Sequence, residues 1–349
     1  MLFLRTLLTP GLDTLATHVR SISVSWDSLL AEPIDPVDLP LFHAAAQLHG
    51  LTEPCTMTND FVELLLHLLP RVHSLVLRPA DTPSTYDTFL GSTTAGVPLP
   101  LALRSVRNLS CTWNSHYYGV TGEMFLMMMT LPNIRTLDVQ ILDGVNDALP
   151  TATSAVTTLH ILYSGQSIKP LAPILRVPRA LTHLSFIISI HATDVDLLEL
   201  HHALEPQRNT IQLLDLRLTP DHRSAHQGVA LTASFATWPV LRGLRCPLRM
   251  LPGDRPCTMR RLREVFPPNL CELQLFVDYA YWYADVLDAL LRLIVCMTEV
   301  VPLLRKVAIS GNCDRPVWMQ VWSVCRQIGI ELVPESEFEF AVVEEVGRK

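Results

Sequence analysis

Charge, glycine and long apolar runs are all scarce in this chain. Asp, Glu, Lys and Arg make up 17% of its 349 residues, 34 acidic against 27 basic, for a formal net charge of −7. Polyanions and anionic membrane surfaces are held by clustered positive charge, so neither nucleic acid nor membrane is expected as a partner. The one arginine-rich stretch, Arg260, Arg261 and Arg263, is interrupted by apolar residues and reads as one helix face. Glycine occurs only 14 times. Neither G-x-x-x-x-G-K nor G-x-S-x-G is present, which excludes a phosphate loop and a nucleophile elbow of the usual kind. H-E-x-x-H and C-x-x-C are also missing, so no metal site is expected. The eight cysteines are dispersed, several of them in apolar runs, where a thiol behaves as a small hydrophobe. Reduced, buried cysteines imply an intracellular setting, cytoplasmic or nuclear. No stretch approaches the about 20 uninterrupted apolar residues of a membrane span. The apolar start is broken by Arg5 and ended by Pro10, unlike a secretory leader.

What the chain has in quantity is apolar material, 49% of its residues, arranged in one recurring frame. The stretch Leu131–Val139, L-P-N-I-R-T-L-D-V, shows it: a Pro-Asn turn, then apolar-x-x-apolar-x-apolar over Ile134, Leu137 and Val139. The frame returns as V-H-S-L-V-L at Val72, V-R-N-L-S-C at Val106, V-T-T-L-H-I at Val156, L-T-H-L-S-F at Leu181 and I-Q-L-L-D-L at Ile211. It continues as L-R-G-L-R-C at Leu241, L-C-E-L-Q-L at Leu270 and L-R-K-V-A-I at Leu304. Segments of helical length separate the frames, among them 39–48, 60–69, 122–130, 168–176, 193–204, 284–300 and 318–328. From Val106 onward the spacing is roughly 22 to 34 residues, near the leucine-rich-repeat period. A short strand and a helix per unit cannot bury their apolar edge alone, and stacking does so. The fold class expected is α/β: a leucine-rich-repeat solenoid of about ten irregular units, with a curved parallel sheet on the concave side and helices on the convex side. One such domain is expected over 1–334, with an N-terminal helical cap at 1–18 and a surface-loop insertion at 80–100 rich in Thr, Ser, Gly and Pro. An acidic tail follows at 335–349.

Strand alternation sends the first, fourth and sixth frame residues inward and the third, the fifth and the one after the sixth outward. The outward positions are mostly polar and of mixed charge, including Asp138, His160, His183, Asp215, Arg217 and Arg245, with Phe276 at the end of its strand. A parallel sheet covered on both sides would be apolar there, so one face is expected to meet water and to serve as a binding surface. A solvated face without a partner is the alternative. His160 and His183 occupy neighbouring frames and are expected about 5 Å apart, in the same columns as Asp138 and Asp215. Such a patch would make binding pH-sensitive. Aromatics concentrate in F-V-D-Y-A-Y-W-Y at 276–283. Tyr279, Tyr281 and Trp282 there have two readings: partner anchors at the strand-exit rim, or packing for the following helix. Trp113, Tyr117 and Tyr118 follow an earlier strand in an equivalent place. His201 and His202 lie about 100° apart on a helix, with Glu205 one turn beyond, and read as a solvated face. No serine or cysteine stands out as an activated nucleophile beside the histidines, so no catalysis and no cofactor are expected.

The start of the chain resembles a known family. Leu2–Val24, L-F-L-R-T-L-L-T-P-G-L-D-T-L-A-T-H-V-R-S-I-S-V, is similar to the junction at which fungal F-box proteins enter their leucine-rich repeats. There a helix ending Leu-Leu-x-x-Pro leads into His-Val-Arg-Ser-Leu and a first strand. The acidic, Trp-containing loop and the Ala-rich helix at 41–48 extend the likeness. The resemblance implies a substrate-receptor-like repeat region of an SCF-type ubiquitin ligase, holding a protein partner on the concave face or strand-exit rim. The F-box itself would precede Leu2, where there is no room for it. Ligase components are therefore expected as partners only if an F-box is supplied elsewhere. Without one, the residues at 2–7 (Leu2, Phe3, Leu4, Leu7) would form an exposed apolar end.

Overall fold

The computed structural model describes residues 2–9, 13–25, 35–49, 58–78, 101–112, 119–120, 122–141, 151–163, 172–188, 197–218, 234–247, 263–276, 284–310 and 315–334. The 80–100 insertion and the 335–349 tail lie outside them. The chain forms two compact units, one of Met1–Gly165 with Arg176–Arg179, the other of Gln166–Leu175 with Ala180–Lys349.

Unit 1 runs α1 (Leu2–Leu8), α2 (Asp13–Ala16), β1 (Ser21–Ser25), α3 (Leu39–Leu48), α4 (Thr58–Leu68), β2 (Ser74–Arg78) and α5 (Leu101–Ser105). It continues through β3 (Asn108–Cys111), α6 (Gly122–Met129), β4 (Thr136–Ile141) and β5 (Thr158–Tyr163). Its strands are parallel and pair in sequence order, β1 to β5.

Unit 2 contains α7 (Ala172–Leu175), β6 (His183–Ile188), α8 (Leu197–Leu204), a 3₁₀ turn (Glu205–Gln207), β7 (Leu213–Leu218), β8 (Gly243–Pro247) and β9 (Glu272–Phe276). It ends with α9 (Ala284–Val300), β10 (Lys306–Ser310), α10 (Arg315–Gln327) and β11 (Glu331–Val333). Here too the strands are parallel and in sequence order, β6 to β11.

The frame residues perform the inward role set by alternation. Its first positions, Ile134, Val156, Leu181, Ile211, Leu241 and Leu270, are at most 1% exposed although each precedes its strand by two residues. The fourth and sixth positions, such as Leu137 with Val139 and Leu214 with Leu216, complete the core under each strand. Burying an aliphatic side chain of this kind contributes about 1.5–3 kcal/mol before entropy is counted.

Most strands also start with one backbone device. A carbonyl just ahead of a strand accepts two consecutive N–H groups from the start of the next strand: Arg135 and Thr136 on Arg107 O, Thr157 and Thr158 on Arg135 O, Gln212 and Leu213 on Thr182 O, Cys271 and Glu272 on Arg242 O. The asparagine of the Pro-Asn turn adds a side-chain version. Asn133 Nδ2 donates to Arg104 O and Asn269 Nδ2 to Pro239 O, both at 2.6 Å.

Buried polar groups tie neighbouring segments together within each unit. Gln207, 3% exposed, accepts from Leu181 N at 3.1 Å and donates to Leu175 O at 3.3 Å. Ser154 Oγ donates to Met129 O at 2.6 Å. The last helix ends in a paired cap: Ile330 N bonds to Cys325 O and Gly329 N to Arg326 O, with Gly329 at φ +76°. This is the two-bond closure that favours glycine after a helix.

Two sequence expectations change. Leu4 and Leu7 are not exposed: both are 5% accessible, and Leu4 packs with Phe42, Ala45, Ala46, Phe61 and Leu64. Phe3 alone of the α1 residues described is an exposed large hydrophobe. The helices expected at 60–69 and 318–328 begin earlier, at Thr58 and Arg315. Apolar periodicity marks only the buried face, so it starts one turn inside the helix.

Candidate functional site

In unit 1 the outward row across the sheet is Ser23, Val76, Ser110, Asp138 and His160, each in register with the next. Ser23 and His160 are exposed and the other three half-buried, as expected of a face that meets water. Ser110 Oγ donates to Asp138 Oδ2 at 2.8 Å, so the carboxylate next to His160 is oriented by the strand on its other side.

In unit 2 the corresponding row is Ser185, Asp215, Arg245, Gln274 and Ala308. It differs from the expected open face: Ser185, Asp215, Gln274 and Ala308 are buried, and the Arg245 side chain is 14% accessible. Asp215 is the hub. Its two oxygens accept from Arg217 Nε at 2.9 and 3.0 Å, and Oδ2 also accepts from Arg217 Nη2 at 2.6 Å. Ser185 Oγ at 3.3 Å and Arg245 Nη1 at 3.5 Å reach the same oxygen. The row closes because the Asp215 carboxylate draws in the long side chains of Arg217 from its own strand and Arg245 from the next, and arginine stems cover apolar surface. Gln274 Nε2 donates to Ser310 Oγ at 2.5 Å.

Arg217 extends along the sheet to Phe276, its guanidinium carbon 5.6 Å from the ring centroid, within cation–π range. Asp215, Arg217, Arg245 and Phe276, all expected in the binding surface, therefore form one assembly. Burial lowers the Arg245 guanidinium from its ordinary value, against the pull of Asp215. Behind the sheet, burial with Asp215 nearby pushes the Cys246 thiol up to about 12. Burial likewise raises Cys325 to about 11. Neither thiol is a nucleophile at neutral pH.

His183 lies at the start of β6 in unit 2, its Nδ1 2.8 Å from the Thr182 hydroxyl, while His160 belongs to β5 in unit 1. Tyr279, Tyr281 and Trp282 lie outside the described residues, as do Trp113, Tyr117 and Tyr118.

His201 departs from the solvated helix face read for it. Its Nε2–H donates to Ser234 O at 2.8 Å, and its ring lies 5.7 Å from Phe235 and 5.9 Å from the fully buried Trp238. Glu205 pairs instead with Arg208, at 2.5 Å. The tertiary partners Phe235 and Trp238 are some 30 residues away in sequence, so helix spacing held no signal for this contact.

Sequence reasoning also missed a depression of about 380 Å³ in unit 2, with Phe266, Val300 and Pro302 in its lining and Arg263 and Glu299 at the charged positions. Among the described residues, no group of three His, Cys, Asp or Glu is placed to hold a metal ion, and no helix is long and apolar enough to cross a membrane. Neither protein-family models nor curated proteins give a match to this chain.

Proposed function

We propose that this chain is a leucine-rich-repeat-like recognition scaffold of about ten irregular units, without catalytic activity, whose outward strand positions hold a protein partner. The observation that carries the reading is the fixing of Arg217. Its guanidinium is bound in a fork by Asp215 and lies against Phe276, yet the side chain keeps 39% of its surface accessible. A guanidinium oriented in advance loses little freedom on binding, and Arg and aromatic groups dominate interface energetics. In unit 1 the open row of Ser110, Asp138 and His160 offers polar contacts of its own. On the likeness of its first fifty or so residues, the partner is a substrate in an SCF-type ubiquitin-ligase setting.

The test is quantitative affinity capture from cell extract with four baits: wild type, Arg217→Ala, Asp138→Ala/His160→Ala, and Tyr281→Ala/Trp282→Ala. The expected result is one set of proteins enriched by wild type and depleted at least tenfold by Arg217→Ala, with the folded state of each bait checked by circular dichroism. Equal recovery by all four baits rejects the recognition surface. Co-capture of ligase adaptor and cullin supports the ligase setting, and capture of a variant-sensitive partner without them replaces it with free-standing recognition.

A further inference from the structure

The arginines of unit 1 are dispersed in sequence and gathered in space. Arg20, His73, Arg107 and Arg135 each stand immediately ahead of a strand, β1 to β4 in order. Each is bonded to the next: His73 and Ser74 N–H on Arg20 O, Arg107 and Asn108 on His73 O, Arg135 and Thr136 on Arg107 O. At the strand spacing the row is about 14 Å long, and all four residues are exposed. Arg71 and Arg179, exposed as well, flank it. Three of these guanidinium groups are tied to the rim by one backbone carbonyl each. Arg20 Nη1 donates to Arg71 O at 3.4 Å, Arg135 Nη1 to Ala155 O at 3.1 Å and Arg179 Nε to Ala152 O at 3.2 Å. A guanidinium has five N–H donors, so most of theirs stay available. Among the described residues, no carboxylate pairs with any of these arginines.

The chain as a whole is acidic, yet the segments leading into β1 to β5 (16–20, 69–73, 104–108, 130–136 and 151–158) contain no Asp or Glu. These segments are described without a break. The corresponding segments of unit 2 mix the signs: Glu205, Glu264, Glu299 and Glu331 accompany Arg208, Arg263, Arg305 and Arg326. Cations after a helix are ordinarily accounted for by its negative C-terminal end. Both units have helix ends at this rim, so the dipole does not explain a single sign in unit 1. Like charges side by side on neighbouring strands gain nothing from each other.

We propose that this strand-entry rim of unit 1 holds an acidic peptide segment of a partner protein, its Asp and Glu side chains paired with Arg20, Arg107 and Arg135. Guanidinium forks match carboxylates in geometry as well as charge. The length of the row suits about four residues of extended peptide. Nucleic acid fits less well. The same segments contain no Phe, Tyr or Trp on which bases could stack, and the net charge of −7 repels a long polyanion beyond the row itself. The site is separate from the outward strand positions and from Arg217.

Fluorescence anisotropy on the full chain, with fluorescein-labelled octaglutamate as the probe, tests this at about 50 mM and about 300 mM salt. Wild type is expected to bind with a micromolar dissociation constant at the lower salt and at least about tenfold more weakly at the higher. Arg107→Glu/Arg135→Glu is expected to weaken binding at least about tenfold, with the fold retained by circular dichroism. The milder Arg107→Gln/Arg135→Gln should weaken it in the same direction. Arg242→Glu/Arg305→Glu makes the same change in net charge at exposed strand-entry positions of unit 2, and is expected to stay within about twofold of wild type. No binding by wild type up to about 200 µM, or equal losses in the unit 1 and unit 2 variants, overturns the proposal. Oligo-dT of the same length, bound more tightly than octaglutamate and with the same sensitivity to Arg107 and Arg135, overturns the peptide and puts nucleic acid in its place. None of these outcomes depends on whether Arg217 anchors a partner.

Discussion

The same frame position does opposite things in the two units. In unit 1 the outward row holds a half-buried Asp138 bonded to Ser110 beside an exposed His160. In unit 2 it holds a buried Asp215 gripped by two arginines and a serine. Both rows follow from alternation on a parallel strand, and both place an aspartate next to a potential cation. What separates them is the length of the neighbouring side chains. Serine and histidine leave the unit 1 carboxylate in contact with water, whereas two arginines close over the unit 2 carboxylate and remove it from water. A charge in the first row is worth little to stability, and one in the second is costly to orphan.

Asp215→Asn set against Asp138→Asn tests this contrast most strongly. The first takes the buried charge from between Arg217 and Arg245 and is expected to cost about 3–5 kcal/mol. The second turns the charged acceptor of one part-buried hydrogen bond into a neutral one and is expected to cost no more than about 1 kcal/mol. Urea denaturation of the two variants reads the difference, and equal losses would erase the distinction between the rows.

A second contrast lies on the helical side: among the described residues, the buried histidine belongs to unit 1. His67 is 5% exposed, its Nε2 has no hydrogen-bond partner, and its ring is 5.9 Å from that of His49. Burial first, then His49 and Arg104, hold its pKa below the ordinary 6.5. The unfolded chain therefore takes up a proton near pH 6.5 while the folded chain does not. Stability is full above pH 6.5 and declines as pH falls from there to the lowered folded value. Denaturation midpoints across pH 7.5 to 5 should show this loss, and His67→Phe should flatten that part of the profile. An unchanged slope in the variant would assign the pH dependence to other groups.

The smallest expected effect sharpens the end of unit 2. Gly329 holds φ +76° with no atom within 4 Å of where a Cβ would stand. Gly329→Ala meets no steric neighbour, so its cost is the left-handed backbone alone, about 1 kcal/mol. A cost of several kcal/mol in thermal melts would mean that the cap supports more than the last helix and strand.

Much of the fold was legible because it rests on local, repeated constraints. Apolar-x-x-apolar-x-apolar located the strands at Leu137, Leu159, Leu184 and Leu214, and α3 and α9 have the bounds that their apolar periodicity marks. The site was legible only as a list. Alternation named Asp138, Asp215, Arg217, Arg245 and Phe276 as outward, but could not say which would be solvated and which would interlock, because that depends on partners about 30 residues away. The histidines show the same limit. His201 sits on a helix face that looks solvated in sequence, and Phe235 and Trp238 cover it.

The sequence by itself determined the period, the strand-and-helix alternation and the identity of the buried frame residues, since each is set by neighbours within one turn or one strand. Tertiary structure decided that Asp215 would be a buried hub, that Leu4 and Leu7 would be covered while Leu41 and Leu48 are not, and that Arg217 would lie along the sheet to Phe276. The physical reason is desolvation. Whether a charge or an apolar group keeps its water is settled by what the rest of the chain packs against it, and no local pattern carries that information.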